Sequence, residues 1–125
     1  MIGVIMTNAE IFRMYLERFA QGDIEGASEL LDDDFTFTGP ILQSSGKGAF
    51  LAGSAVAAAM ARGCEIHRQW DDDGSVCSIY DFKVETPAGA GSIPMAEWSE
   101  FKAGKLVSSR LIFNTADMAA LMPQA

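Results

Sequence analysis

The first half of the chain carries apolar residues at helical spacing. Thr7 and Glu10 bracket a capping-box pattern, after which apolar residues recur every three or four positions until Gln21-Gly22. We therefore predict a first helix that buries Ile11, Phe12, Tyr15, Leu16 and Phe19. A second helix is predicted over 24–31, and an Ala-rich third helix over 49–61, ended by Gly63.

The rest of the chain, mostly its second half, has the features of β-strands. A short strand is predicted over 35–38, and longer β-branched and aromatic runs predict strands over 64–70, 76–86, 93–101 and 106–114. Turn residues separate the longer runs, and residues 116–121 predict a final helical turn or two. Three helices followed by a meander of four strands indicate the α+β class.

Composition narrows the range of functions. The 125 residues suit one domain, 1–125, and the net charge of -8 disfavours nucleic acid and anionic membranes as partners. No uncharged stretch is long enough to span a membrane, and residues 1–6 lack the features of a secretory signal, so we expect a cytoplasmic protein. Two cysteines, Cys64 and Cys77, and one histidine, His67, form no metal-ligand pattern; we expect no metal and no organic cofactor.

A helical layer on one face of a curved sheet leaves a concave space, which predicts a pocket for a small apolar ligand. A two-residue turn at Ala103-Gly104 pairs Glu97 with Arg110 and places Asn114 on the same sheet face. A turn at Asp73-Gly74 makes Arg68 and Asp81 diagonal neighbours. The number of loop residues within 87–91 decides whether Asp81 shares a face with Glu97, and the sequence leaves that number open.

Several short motifs, in this order, resemble one family. They are Phe19-Ala-Gln-Gly-Asp23, Leu30-Leu-Asp-Asp-Asp-Phe35, Ala96-Glu-Trp98, Gly104-Lys-Leu106 and Arg110-Leu-Ile-Phe-Asn114. Together they resemble the SnoaL-like branch of the nuclear-transport-factor-two-like superfamily. The resemblance implies a cone-shaped, curved antiparallel sheet packed against three N-terminal helices, a cystatin-like α+β barrel, which often forms homodimers through its outer sheet face.

The resemblance also implies candidate site residues. Similarity to the ketosteroid isomerases assigns their tyrosine to Tyr15 and their protonated acid to Glu97, but the position of their base holds Gly39, which has no side chain. Similarity to the epoxide hydrolases assigns one of their three charged groups to Asp81, but Ile79 and Asn114 stand at the positions of the other two. The polyketide cyclases use a single acid, a role open to Asp81 or Glu97.

We therefore expect acid/base chemistry of the isomerase, cyclase or hydrolase type on a small apolar carbonyl compound. The expected catalytic residues are Asp81, Glu97 and Tyr15, and the expected ligand-binding residues are Arg68, Trp98, Arg110 and Asn114. Alternatively, Glu97 and Asp81 are structural ion-pair partners of Arg110 and Arg68. Non-catalytic binding of an apolar ligand, or a dimeric scaffold with no open pocket, are the alternative functions.

Overall fold

The computed structural model describes residues 6–121, so the apolar segment 1–5 lies outside the described residues. Helix α1 spans Asn8–Ala20 and begins with the predicted capping box. The Thr7 N–H donates to Glu10 Oε1 at 2.9 Å, and the Glu10 N–H donates to Thr7 Oγ1 at 3.1 Å. All five apolar residues predicted for its buried face are buried.

The remaining helices are shorter than the sequence pattern suggests. Helix α2 covers only Ile24–Ser28, since Leu31 already begins a strand. The predicted third helix is two helices, α3 over Lys47–Gly53 and α4 over Ala55–Met60, with Ser54 between them. It also ends before Ala61, which is the first residue of a strand. The C-terminal turn is helix α5, Thr115–Ala119.

Six strands form one curved sheet in the order β2-β1-β6-β5-β4-β3. Their bounds are Leu31–Thr38 (β1), Gln43–Ser45 (β2), Ala61–Asp72 (β3), Ser75–Thr86 (β4), Gly89–Lys102 (β5) and Lys105–Phe113 (β6). The α+β class is confirmed, with two differences from the expected antiparallel barrel. Strands β1 and β6 pair in parallel, and the sheet is not closed, so β2 and β3 are its edges.

The tight turns form where the sequence predicts them, but the pairing beyond the Ala103-Gly104 turn is shifted. Across the Ala103-Gly104 turn, Phe101 pairs with Leu106 as expected. The next pair is Glu100 with Ser108, so one extra residue in β6, Val107, forms a bulge. The predicted pairing of Glu97 with Arg110 is therefore wrong, because Glu97 pairs with Leu111.

A similar bulge occurs in β3. Arg68 pairs with Ile79 as predicted, but Ile66 pairs with Tyr80 instead of Asp81, which leaves His67 as the extra residue. Strands β4 and β5 are joined by a two-residue turn, since Thr86 pairs with Gly89. An even loop puts Asp81 and Glu97 on opposite faces of the sheet.

Helix α1 covers the concave face of this sheet. Its buried side chains meet the inward-facing residues of β4, and the ring centroids of Phe12 and Tyr80 lie 6.3 Å apart. Phe50 of α3 lies 5.1 Å from Phe35 and 4.9 Å from Phe37 of β1, centroid to centroid. The helical and sheet layers thus share one aromatic core. Within 6–121, no helix is long and apolar enough to cross a membrane.

The capping box predicts a measurable contribution to stability. Thr7→Ala removes the side-chain acceptor for the Glu10 N–H, so we expect a loss of about 1 kcal/mol in the free energy of unfolding by urea denaturation. Thr7→Ser keeps the acceptor and is the matched control. Equal losses in both variants would show that the cap contributes nothing.

Candidate functional site

A cavity of about 120 Å³ lies between the helical layer and the concave face of the sheet. Most of its wall is aromatic or aliphatic. The lining residues are Tyr15, Leu16, Phe19, Phe37, Gly39, Pro40, Ile41, Leu42, Phe50, Gly53, Ser54, Ala57, Tyr80, Phe82, Met95, Glu97, Leu111, Phe113 and Met118. Ile41 is also 67% exposed, which places the opening at the loop 39–42. The alternative of a scaffold with no open pocket is therefore wrong.

Glu97 brings a carboxyl group into this apolar wall. It lies on β5, is only 3% exposed, and its Oε1 accepts a hydrogen bond of 2.7 Å from the Tyr80 hydroxyl. Its Oε2 is buried and has no hydrogen-bond partner among the described residues. Among residues 6–121, no Lys, Arg or His lines the cavity, so no cation of this part of the chain balances a charge on Glu97 there.

Burial raises the pKa of Glu97 above its usual range, because the apolar surroundings disfavour the ionised form. The hydroxyls of Tyr80 and Ser109 act in the opposite direction, with less effect on the pKa. Ser109 is itself hydrogen-bonded to the Ser99 hydroxyl, and it leaves Oε2 unpaired. The site therefore favours a protonated carboxyl group, one oxygen of which has no hydrogen-bond partner among the described residues.

Tyr15 supplies a second hydroxyl to the same cavity. It is 3% exposed on α1 and lines the cavity together with Glu97. Burial, and the negative charge that Glu97 carries when ionised, raise the pKa of Tyr15 well above its usual value. Tyr15 thus stays protonated and is available as a hydrogen-bond donor.

Gly39 lines the cavity without contributing a side chain. Its N–H donates to the Leu42 carbonyl at 2.8 Å, which closes the turn at the cavity opening. A base at this position, as in the ketosteroid isomerases, is therefore missing. Apart from the two tyrosines, Glu97 is the one titratable side chain among the described lining residues.

The other predicted site residues do not line the cavity. Asp81 lies on the outer sheet face, and its Oδ2 is 3.0 Å from His67 Nε2. It thus pairs with His67, where Arg68 was expected, because His67 is the bulged residue of β3. The Arg68 guanidinium lies 4.9 Å from the centroid of the Trp70 ring.

Trp98 and Arg110 are exposed neighbours on the same outer face. Asn114 ends β6, and its Oδ1 accepts from the Ala116 N–H at 3.0 Å, which caps α5. The cavity is thus bordered by Tyr15 and Glu97 alone among the seven predicted site residues. The inclusion of Arg110 rested on a register that the Val107 bulge shifts.

Several residues of the site were not predicted. Tyr80 belongs to a set of buried residues at every second position of β4, with Val76, Ser78, Phe82 and Val84. Its inward orientation could therefore have been predicted from this alternation. No local pattern indicates that Phe37, Ser54 and Met118 line the cavity, because each comes from a separate element.

An open curved sheet with helices at the N-terminus is consistent with the cone fold of the nuclear-transport-factor-two-like proteins. The family model of the SnoaL-like domain matches residues 12–109, and the chain belongs to this family. No curated protein matches it.

Solved structures show the same fold at low sequence identity. One NTF2-like protein of unknown function from Burkholderia pseudomallei is 17% identical, with a TM-score of 0.81 over 96% of this chain and 100% of the other. Another from Cytophaga hutchinsonii is 17% identical, with a TM-score of 0.79 over 94% and 99%. A protein with a ketosteroid isomerase-like fold from Catenulispora acidiphila, in complex with trimethylamine, is 15% identical, with a TM-score of 0.79 over 93% of each chain.

The raised pKa of Glu97 predicts a pH dependence of stability. The folded protein retains a proton on Glu97 at pH values where the unfolded chain, with a carboxyl pKa near 4.5, has released it. Stability relative to Glu97→Gln, which does not titrate, should therefore fall as the pH rises from 4.5 through the raised pKa, and then level off. Urea denaturation of both proteins across this range tests the prediction.

The matched control is Glu100→Gln on the exposed face of the same strand. A stability difference between wild type and Glu97→Gln that does not change with pH would contradict the raised pKa.

Proposed function

We propose that this protein binds a small apolar carbonyl compound in the cavity and that Glu97 transfers a proton on it. The observation that carries this proposal is the carboxyl of Glu97, buried in an apolar wall with one oxygen unpaired. A raised pKa makes the ionised carboxyl a stronger base than an ordinary carboxylate and keeps more of the group protonated, which suits a general acid/base. Asp81, the other expected acid, lies outside the cavity.

The proposed reaction uses one carboxyl and one phenol. The ionised Glu97 removes a proton from the carbon next to the carbonyl, and the electron pair moves onto the carbonyl oxygen. The Tyr15 hydroxyl donates a hydrogen bond to this oxygen and stabilises its negative charge. Glu97 then returns the proton to a different carbon of the same substrate, so that the net reaction is an isomerisation.

The volume of the cavity limits the size of the ligand. An apolar cavity of about 150 Å³ is known to hold benzene. At about 120 Å³, this cavity fits a single ring or a short branched chain, with any larger part extending through the opening at Ile41. Fused four-ring compounds such as steroids exceed the enclosed space.

A second candidate function is binding without turnover. Gly39 provides no base, and Glu97 is the one carboxyl among the described lining residues, so proton transfer has no second acid to assist it. Aromatic walls together with a carboxylate also suit a small amine, and trimethylamine is the compound in complex with the Catenulispora acidiphila protein. A protonated amine would favour the ionised form of Glu97, because the two charges have opposite signs.

We also propose that the outer sheet face forms a homodimer. Four large apolar side chains are exposed on it: Trp70, Ile79, Trp98 and Ile112. They form two neighbouring rows across the strands. In one row Cys77 lies between Trp70 and Trp98, and in the other Ala96 lies between Ile79 and Ile112. Arginines and acidic side chains on the same face allow complementary contacts between two copies related by a two-fold axis. A contiguous apolar patch of this kind marks an interaction surface.

Thermal shift with a ligand panel tests the proposed binding. We expect small cyclic enones to raise the melting temperature at neutral pH, because a ligand that binds only the folded state stabilises it. Isomerisation of a bound enone should fall by at least about 100-fold in Glu97→Gln and by less in Tyr15→Phe. NMR detection of the shifted double bond measures turnover, and Glu100→Gln is the control that should retain it.

Each outcome of the panel is informative. Binding without turnover in the wild type would favour the non-catalytic alternative. A shift with trimethylamine but with no enone would replace the carbonyl ligand by an amine. Turnover that survives Glu97→Gln would refute the role of Glu97.

The dimer is tested by sedimentation. Ile112→Lys places a charge in the middle of the apolar patch, so we expect a monomer where the wild type is a dimer. Val56→Lys is the control, since Val56 is 63% exposed on α4, away from the sheet. A monomeric wild type, or an unchanged dimer in Ile112→Lys, would contradict this interface.

A further inference from the structure

Ser54 lines the cavity and, like Glu97, carries a buried polar atom without a partner in the described part of the chain. It lies between α3 and α4, is 5% exposed, and its buried Oγ has no hydrogen-bond partner among the described residues. Its backbone is fully paired, since its N–H donates to the Phe50 carbonyl and its carbonyl accepts from the Ala58 N–H. The hydroxyl is therefore the one polar group of Ser54 without a partner.

The position of Ser54 in the chain makes an unpaired hydroxyl unusual. It is the N-cap residue of α4, where a serine side chain normally accepts a hydrogen bond from the first turn. Its backbone torsions, φ -98° and ψ 2°, differ from the extended conformation of most N-caps, and the side chain makes no capping bond. The residue borders the cavity instead.

Ser54 and Glu97 belong to opposite layers. Ser54 comes from the helical layer and Glu97 from the sheet, and both line the same cavity. Each has a buried oxygen without a partner, and Phe50 and Ala57, which line the cavity near Ser54 along the chain, offer only apolar side chains. A buried polar group without a partner is costly, so a ligand that pairs with both oxygens removes two such costs.

We propose that Ser54 determines ligand specificity by hydrogen bonding to a second oxygen of the ligand. The ligand class is then a small uncharged compound with a carbonyl at the Glu97 end and a hydroxyl or a second carbonyl at the Ser54 end. An anion is disfavoured because the described lining residues include no Lys, Arg or His. This inference rests on the proposed function, because it assumes that the carbonyl accepts from Tyr15 and that the carbon next to it lies beside Glu97.

Three cyclohexanones separate the contribution of the second oxygen to binding from that of the carbonyl. 4-Hydroxycyclohexanone and 1,4-cyclohexanedione carry the second oxygen, and 4-methylcyclohexanone replaces it by a methyl group of similar size. We expect the wild type to bind the two oxygenated compounds about tenfold more tightly than the methyl compound, by calorimetry. In Ser54→Ala this preference should disappear, while the affinity for 4-methylcyclohexanone stays the same or rises.

Ser44→Ala is the matched control. The Ser44 hydroxyl is also buried and unpaired among the described residues, but Ser44 does not line the cavity, so its removal should leave all three affinities unchanged. Melting temperatures of both unliganded variants show whether each folds.

The outcomes distinguish this inference from the function on which it rests. A preference for the oxygenated compounds that persists in Ser54→Ala, or no preference in the wild type, would overturn the role of Ser54 while leaving carbonyl binding intact. Binding of none of the three compounds by the wild type would contradict both proposals.

Discussion

One extra residue in β6 determines the chemistry of the cavity. Without the Val107 bulge, the Ala103-Gly104 turn would pair Glu97 with Arg110, and an adjacent cation would stabilise the ionised carboxylate. The bulge shifts the register by one residue, so that Leu111 pairs with Glu97 and Arg110 lies exposed on the other face. The carboxyl is thus buried against apolar neighbours, and burial becomes the main influence on its pKa.

A carboxyl in such surroundings is tolerated because it can be neutral. An isolated buried charge is far more costly than a buried polar group, and protonation removes that charge. The Tyr80 hydrogen bond satisfies one carboxyl oxygen, while the other is buried without a partner among the described residues. Glu97 and Ser54 each retain an unpaired oxygen, so the protein carries an energetic cost at the place where a ligand would relieve it.

The sequence predicts those parts of this structure that depend on local periodicity. Helix α1, its cap and the hairpin turns at Asp73-Gly74 and Ala103-Gly104 follow from short patterns, and each forms. The break at Ser54 is hidden because the Ala-rich segment on both sides has high helical propensity. Bulges are hidden for another reason: an added residue changes which side chains face each other without changing the apolar alternation of the neighbouring strand. Of the seven predicted site residues, only Tyr15 and Glu97, which the resemblance to the ketosteroid isomerases supports, line the cavity.

A single carboxyl restricts the reactions that this cavity can support. Enzymes with separate acids and bases hold each group in its required protonation state, whereas Glu97 alone must be ionised to accept a proton and protonated to return it. The same carboxyl therefore has to reach both carbons between which the proton moves, so these carbons must lie on one side of a small ligand. The acidity of the carbon must come from the ligand itself, through a carbonyl that delocalises the negative charge, because Gly39 supplies no second group. A small, rigid enone meets both requirements, and its size is also what the enclosed volume admits.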